Sequence, residues 1–161
     1  MIKRHSILWT LCCVLVASAA LDAQELKVIN TEGRVTTITA SQITSLPHVT
    51  ADVIDHNTPA KFEGVPLSAV LALAGIQLGD TMRGPRLTEV LLVGAADGYH
   101  VAYALAETDP AFAVHEIILA DKRDGKPLAP KEGPSRIVAP GDKRPARWIR
   151  QVTEMKIIAA Q

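Results

Sequence analysis

The best helical spacing of apolar side chains in this chain lies at residues 66–75. Beyond an apolar stretch within residues 1–23, the rest arrive in short runs cut by Gly, Pro, Asn and Asp. Leu67, Val70, Leu71 and Ala74 fall on one helical face, Pro66 suits the first turn and Gly75 the cap that follows the last. Leu26–Ile29 and Val35–Ile38 read as a hairpin closed by the turn residues 30–34. Further strands are predicted over residues 48–54, 61–64, 89–95, 99–103, 116–120, 136–139 and 152–158. Residues 39–46 can form a helical turn or two before Pro47, and 104–109 another before Pro110. Residues 55–59 and 121–133 read as loop and turn. Strands outnumber helices and no strand–helix alternation persists. The pattern predicts a single α+β domain with a mixed or largely antiparallel sheet. At 161 residues and 48% hydrophobic content, the chain has material for one core and not for two.

Residues 1–23 differ in kind. Lys3, Arg4 and His5 precede an apolar stretch that ends in small residues, the pattern of a secretory signal peptide. A retained membrane anchor is the competing reading, but the apolar run is shorter than the roughly 20 residues a spanning helix needs. The expectation is therefore a signal over 1–23, a domain over 24–161, a periplasmic or secreted location, and no membrane span after cleavage. Both cysteines, Cys12 and Cys13, fall inside the signal, so the mature chain has none. That excludes disulfides, thiolate metal sites and cysteine nucleophiles from the processed protein.

Lys plus Arg and Asp plus Glu stand at 17 each. Loss of Lys3, Arg4 and Asp22 with the signal leaves 15 basic and 16 acidic residues. Charge is unevenly placed: between Lys122 and Arg150 nine basic residues meet only Asp124, Glu132 and Asp142. Such a cationic stretch suits either an anion site, where arginine forks grip phosphate or carboxylate, or a solvated face. Nucleic acid is not the expected partner, because Trp148 is the only mature tryptophan and no aromatic series accompanies the cations to stack bases.

Several short motifs in a fixed order then narrow the field. Phe62-Glu-Gly-Val-Pro-Leu67 leads into the helix. Ala96-Asp-Gly-Tyr99 follows, then Ile118-Leu-Ala120 with Asp124-Gly-Lys-Pro-Leu128. Gly133-Pro-Ser-Arg136 with Ile137-Val-Ala-Pro140, and Arg144-Pro-Ala-Arg-Trp148, complete the series. This order resembles the sulfite-oxidase-type molybdopterin-binding domain family over roughly residues 48–158. The resemblance implies an α+β domain with mixed sheets, a pyranopterin cofactor, and oxygen-atom transfer at molybdenum held by one protein cysteine. Residues 49–61, where the family keeps that cysteine, contain none here. A soft metal centre built on thiolate does not keep its chemistry on imidazole or carboxylate. The chain is more similar to short secreted members of this fold that bind a metal-free pterin and signal through a partner.

A pterin presents N–H donors on one edge, acceptors beside them and a flat face. Under this resemblance Asp97 is the candidate carboxylate for the donor edge, though Asp-Gly is also a common turn pair. Tyr99 can close over the ring or simply pack on its strand. Arg136 can reach an oxo group or phosphate from the irregular backbone after Gly133-Pro134. Arg144 and Arg147 form a candidate pair with Trp148, whose indole either stacks on ligand or sits in the core. His56 is a candidate polar contact rather than a metal ligand, and Glu107 with Asp109 reads more plainly as a helix end than as an acid–base pair.

The reading that results is an exported pterin-binding protein, not catalytic by itself, acting with a membrane-bound sensor or an oxidoreductase partner. Its cofactor is a metal-free pterin or molybdopterin, and the sequence disfavours molybdenum. One alternative is a molybdenum-cofactor oxidoreductase or a subunit of one. Another is a ligand-free adaptor whose arginine face docks an acidic partner.

Overall fold

A computed structural model describes residues 25–159, so the predicted signal peptide and both cysteines lie outside the described residues. Strands β1 (Leu26–Ile29) and β2 (Val35–Ile38) form the N-terminal hairpin. Its loop is tied by the Asn30 side chain, which accepts from the amides of Glu32 and Arg34. Helix α1 (Ala40–Thr44) starts at a capping box between Thr39 and Gln42. Strands β3 (Val49–Asp55) and β4 (Thr58–Pro66) follow, then helix α2 (Leu67–Leu73). The chain continues through β5 (Glu89–Ala95), β6 (His100–Ala104), β7 (Ile118–Arg123), β8 (Lys126–Pro127), β9 (Arg136–Val138) and β10 (Val152–Ala159).

Two sheets result. The first runs β2-β1-β10-β5-β6 and is mixed, because β1 and β10 lie parallel while its other pairs are antiparallel. The second runs β3-β4-β7-β8, with β9 also pairing β7. One buried cluster joins them: Val28, Leu91 and Met155 come from the first sheet, Phe62, Val65 and Leu119 from the second. Helix α2 closes it with Leu67, Val70 and Leu71, the face that helical spacing predicts.

The expected α+β class and the mixed sheet hold. Two loops proved shorter than the sequence pattern predicts. Residues 55–59 reduce to a two-residue turn, with His56 at φ 49° and Asn57 at φ 67°, so Asp55 pairs Thr58 and β4 begins three residues early. Likewise Asp124 and Gly125, at φ 51° and 73°, turn β7 directly into β8 within the stretch expected to be irregular. In both places cross-strand pairing extends strands whose own composition carries no period.

Candidate functional site

Turns from both sheets converge on a hollow of about 320 Å³. The β3–β4 turn supplies His56, and the β5–β6 turn supplies Asp97 and Tyr99. The segment before β10 supplies Trp148, Arg150 and Gln151, and Lys131 stands on the rim. Four of the residues singled out from sequence, His56, Asp97, Tyr99 and Trp148, thus share one wall system.

Each is held locally. Asp97 Oδ1 accepts from the Tyr99 amide at 2.9 Å, leaving the other oxygen open. The Tyr99 ring is half-exposed, and its hydroxyl donates to the Ala146 carbonyl at 3.3 Å. Trp148 is nearly buried: its indole N–H donates to Ala139 O at 3.0 Å and its ring meets Phe62 edge-on at 6.2 Å. It therefore belongs to the core and to the hollow at once. Gln151 sits at φ 49°, with its side chain on Pro130 O and its amide on Glu132 O.

The three arginines singled out from sequence go elsewhere. Arg136 is 1% exposed and is not among the residues lining the hollow. Its Nη1 is 2.7 Å from Glu132 and 3.8 Å from Asp55, and its guanidinium stacks 4.9 Å from the Phe62 centroid. Burial pulls its pKa down, an effect opposed by Glu132 and Asp55. Its Nε has no hydrogen-bond partner. Arg147 lines a different hollow, clamped by Asp142 at 2.6 and 3.1 Å, Glu107 at 3.2 Å and the Ala102 carbonyl at 3.3 Å. The Asp142 hydrogen bonds push its pKa further up. Arg144 is exposed, and among the described residues it has no partner and lines no hollow with Trp148. Arg136, Arg144 and Trp148 do not share a hollow. Glu107 and Asp109 are committed as well, the first to Arg147 and the second to the amides of Gly79 and Ala111.

Sequence reasoning missed Lys131, Arg150 and Gln151 as lining residues, and Asp55 behind them. Lys131 and Arg150 lie in the cationic stretch, which was the available signal. Nothing local distinguishes them from their seven basic neighbours there.

A larger hollow, about 690 Å³, opens beside Trp148 on the β3–β4 side. Its acidic groups are already engaged. Asp124 accepts from the Lys61 amide at 2.9 Å, Asp52 is 3.9 Å from Lys61 Nζ, and Asp142 is held by Arg147. Lys143 alone is left to recognise anything. The smaller hollow is the better candidate: one Asp97 oxygen is open, Lys131 is unpaired among the described residues, and Arg150 lies 3.9 Å from a Glu132 that Arg136 holds more closely.

The clamp around Arg147 carries its own test. Tyr103 donates its hydroxyl to the Arg147 carbonyl, and its ring lies 4.5 Å from the guanidinium carbon. Burial raises the phenol pKa, with Arg147 opposing. A group whose pKa is raised on folding contributes its full stability below the unfolded value near 10 and loses it as pH climbs above. Wild type should thus lose stability above about pH 10 by up to about 1.4 kcal/mol per pH unit more than Tyr103→Phe. At neutral pH Tyr103→Phe should cost about 1–2 kcal/mol. Urea titrations at pH 7 and pH 11 check both signs.

The family's sequence pattern, described as the oxidoreductase molybdopterin binding domain, matches residues 9–161. This chain belongs to that family. Among solved structures, the sulfane dehydrogenase SoxCD from Paracoccus pantotrophus shares the fold, with a TM-score of 0.64 and 18% identity. The match covers 83% of this chain and 38% of that one, so the chain spans well under half of its structural neighbour. No curated protein sequence matches.

The molybdopterin-binding fold and the chemistry of the hollow agree in kind. Lys131 and Arg150 are cations of the kind a pyranopterin phosphate would need, and His56 and Asp97 are polar groups of the kind its N–H edge would need, within one hollow.

Proposed function

We propose that this molybdopterin-binding-domain protein is an exported receptor for a metal-free pterin, and that it acts with a membrane-bound sensor or an oxidoreductase partner rather than as a catalyst. The observation that carries the reading is one hollow in which a histidine, His56, a carboxylate, Asp97, and two cations, Lys131 and Arg150, border an aromatic wall. A pterin bound there, with any phosphate it carries, would satisfy each of these groups. Molybdenum is the part of the family's cofactor that the residues fit least. The described residues include no thiol and no group of three or more His, Cys, Asp or Glu able to hold a metal. The basic start and apolar run of residues 1–23 support export. A partner responds to such a receptor only if it prefers the occupied or the empty form.

Family membership favours a second reading, in which the chain is part of a molybdenum-dependent oxidoreductase. Protein purified from a molybdenum-replete host separates the two. Pterin without stoichiometric metal, found by mass spectrometry and metal analysis of the heat-released supernatant, supports the receptor. Stoichiometric molybdenum supports the oxidoreductase, and absence of any pterin on extraction or titration supports a ligand-free adaptor.

Affinity measurements locate the site. Lys131→Ala or Arg150→Ala should each weaken a phosphorylated pterin by about tenfold, the scale of one charge-assisted hydrogen bond. Added salt should weaken that ligand more than its unphosphorylated counterpart. Lys126→Ala, on strand β8 and outside the hollow, is the control and should change little.

A further inference from the structure

His56 does not stand in the hollow unsupported. Its Nδ1 is 2.7 Å from Oδ1 of Asp55, the last residue of β3, which is 4% exposed. The other Asp55 oxygen accepts from Arg123 Nη1 at 2.9 Å and lies 3.8 Å from Arg136 Nη1. Those guanidinium groups are fixed in turn, over Phe62 at 5.3 and 4.9 Å and beside Glu132 at 3.8 and 2.7 Å. A carboxylate can only accept, so the proton between Asp55 and His56 belongs to Nδ1. The neutral imidazole then carries a bare lone pair on Nε2, the atom at the far side of a ring whose side chain is 68% exposed.

We infer that Asp55 is a positioning residue that holds His56 as a hydrogen-bond acceptor toward the hollow, and that His56 with Asp97 selects heterocycles with an amino-and-N–H donor edge. Resting on the pterin reading, this sets the ligand's orientation. The 2-amino-4-oxo edge faces His56 and Asp97, and any phosphate faces Lys131 and Arg150. A dioxo edge, as in lumazine, replaces the amino donor by an acceptor and leaves it opposed to a lone pair. Polar groups that a bound ring covers without matching discriminate strongly, because each loses its solvent partner without gaining another.

The arginines make the test sharp. In Asp55→Asn, Arg123 and Arg136 still require an oxygen, so the new amide turns its NH2 toward His56. The Nδ1 atom must then accept, and the proton moves to Nε2. Long-range ¹H–¹⁵N spectra of the unliganded full chain, at a pH where the ring is neutral, report the tautomer directly. Wild type should show Nδ1–H, and Asp55→Asn should show Nε2–H. Wild type should bind pterin at least tenfold more tightly than lumazine by fluorescence titration, and Asp55→Asn should bring the two within about threefold. Should Asp55→Asn fail to fold, His56→Gln places an amide oxygen near the Nε2 position and should keep the preference, whereas His56→Ala should lose it. A wild-type Nε2–H tautomer overturns the inference and leaves the pterin reading intact. Equal affinity for the two probes also overturns it. Failure of both probes to bind removes the pterin reading and the selectivity with it.

Discussion

Arg136→Ala should cost the fold about 3–5 kcal/mol, the usual penalty for removing one member of a buried ion network. The side chain is 1% exposed and among the largest fully buried ones. Its removal leaves Glu132, now 3.8 Å from Arg123 and 3.9 Å from Arg150, without its 2.7 Å partner. It also opens a void beside Phe62 and Trp148, whose faces it covers at 4.9 and 6.0 Å. Against a total stability of about 5–15 kcal/mol, that is a large fraction. Arg136→Lys should recover only part, because an ammonium cannot lie flat on Phe62 while reaching Glu132. Urea unfolding followed by Trp148 fluorescence gives the comparison, with the slope unchanged and the midpoint lowered. A shift below 1 kcal/mol would mean that the network is hydrated and contributes little.

Gly64→Ala should be comparably damaging. Gly64 lies in β4 at the register shift where that strand meets β7. A methyl group there would sit 2.3 Å from the Leu119 carbonyl oxygen and 2.4 Å from Ala120 Cα. Both are backbone atoms, so no rotamer change relieves the overlap. The strands must part, disturbing the pairs Val65–Leu119 and Pro66–Ile118 and the apolar cluster beneath them. The expected cost is at or above the upper end of the roughly 1–3 kcal/mol seen for overpacked cores. Gly141→Ala is the control: its added methyl would meet only His115, at 3.7 Å and beyond, and its midpoint should hardly move. Matching midpoints for the two variants would contradict the strand spacing described here.

Both effects bear on the site, because the elements they disturb position the hollow. The Arg136 network fixes Asp55 and through it His56, while the β4–β7 seam carries the β3–β4 turn.

Much of the fold was legible because its signals are local. Short apolar runs bounded by turn residues located β1, β2, β5 and β10 to within a residue, and a single helical period located α2. Early β4 and all of β8 were missed, since Thr58-Pro59 and Lys126-Pro127 are strands only by virtue of the neighbour that pairs them. The site was half legible. Asp97 and Tyr99 flank a turn that any reader of Asp-Gly would mark, and Trp148 stands out as a lone indole. Arg136 and Arg147 both read as ligand contacts on spacing, but each is held by its own acids: Glu132 and, more distantly in sequence, Asp55 for the first, Asp142 with Glu107 and the Ala102 carbonyl for the second. Arg150, unremarkable in its basic run, lines the hollow and lies 3.9 Å from Glu132, which Arg136 holds at 2.7 Å.

Residue order alone determined that this chain makes a strand-rich α+β domain of the molybdopterin-binding kind, and that no thiol lies in its described body. Period and turn chemistry carry the strand-rich class, the order of short motifs carries the family resemblance, and composition carries the missing thiol; none of these needs a distant contact to act. Tertiary structure decided which cations are spent inside and which line the hollow, and which carboxylate stands against Nδ1 of His56. Charge neutralisation and hydrogen bonding are satisfied between neighbours in space, and folding, not sequence spacing, chooses those neighbours.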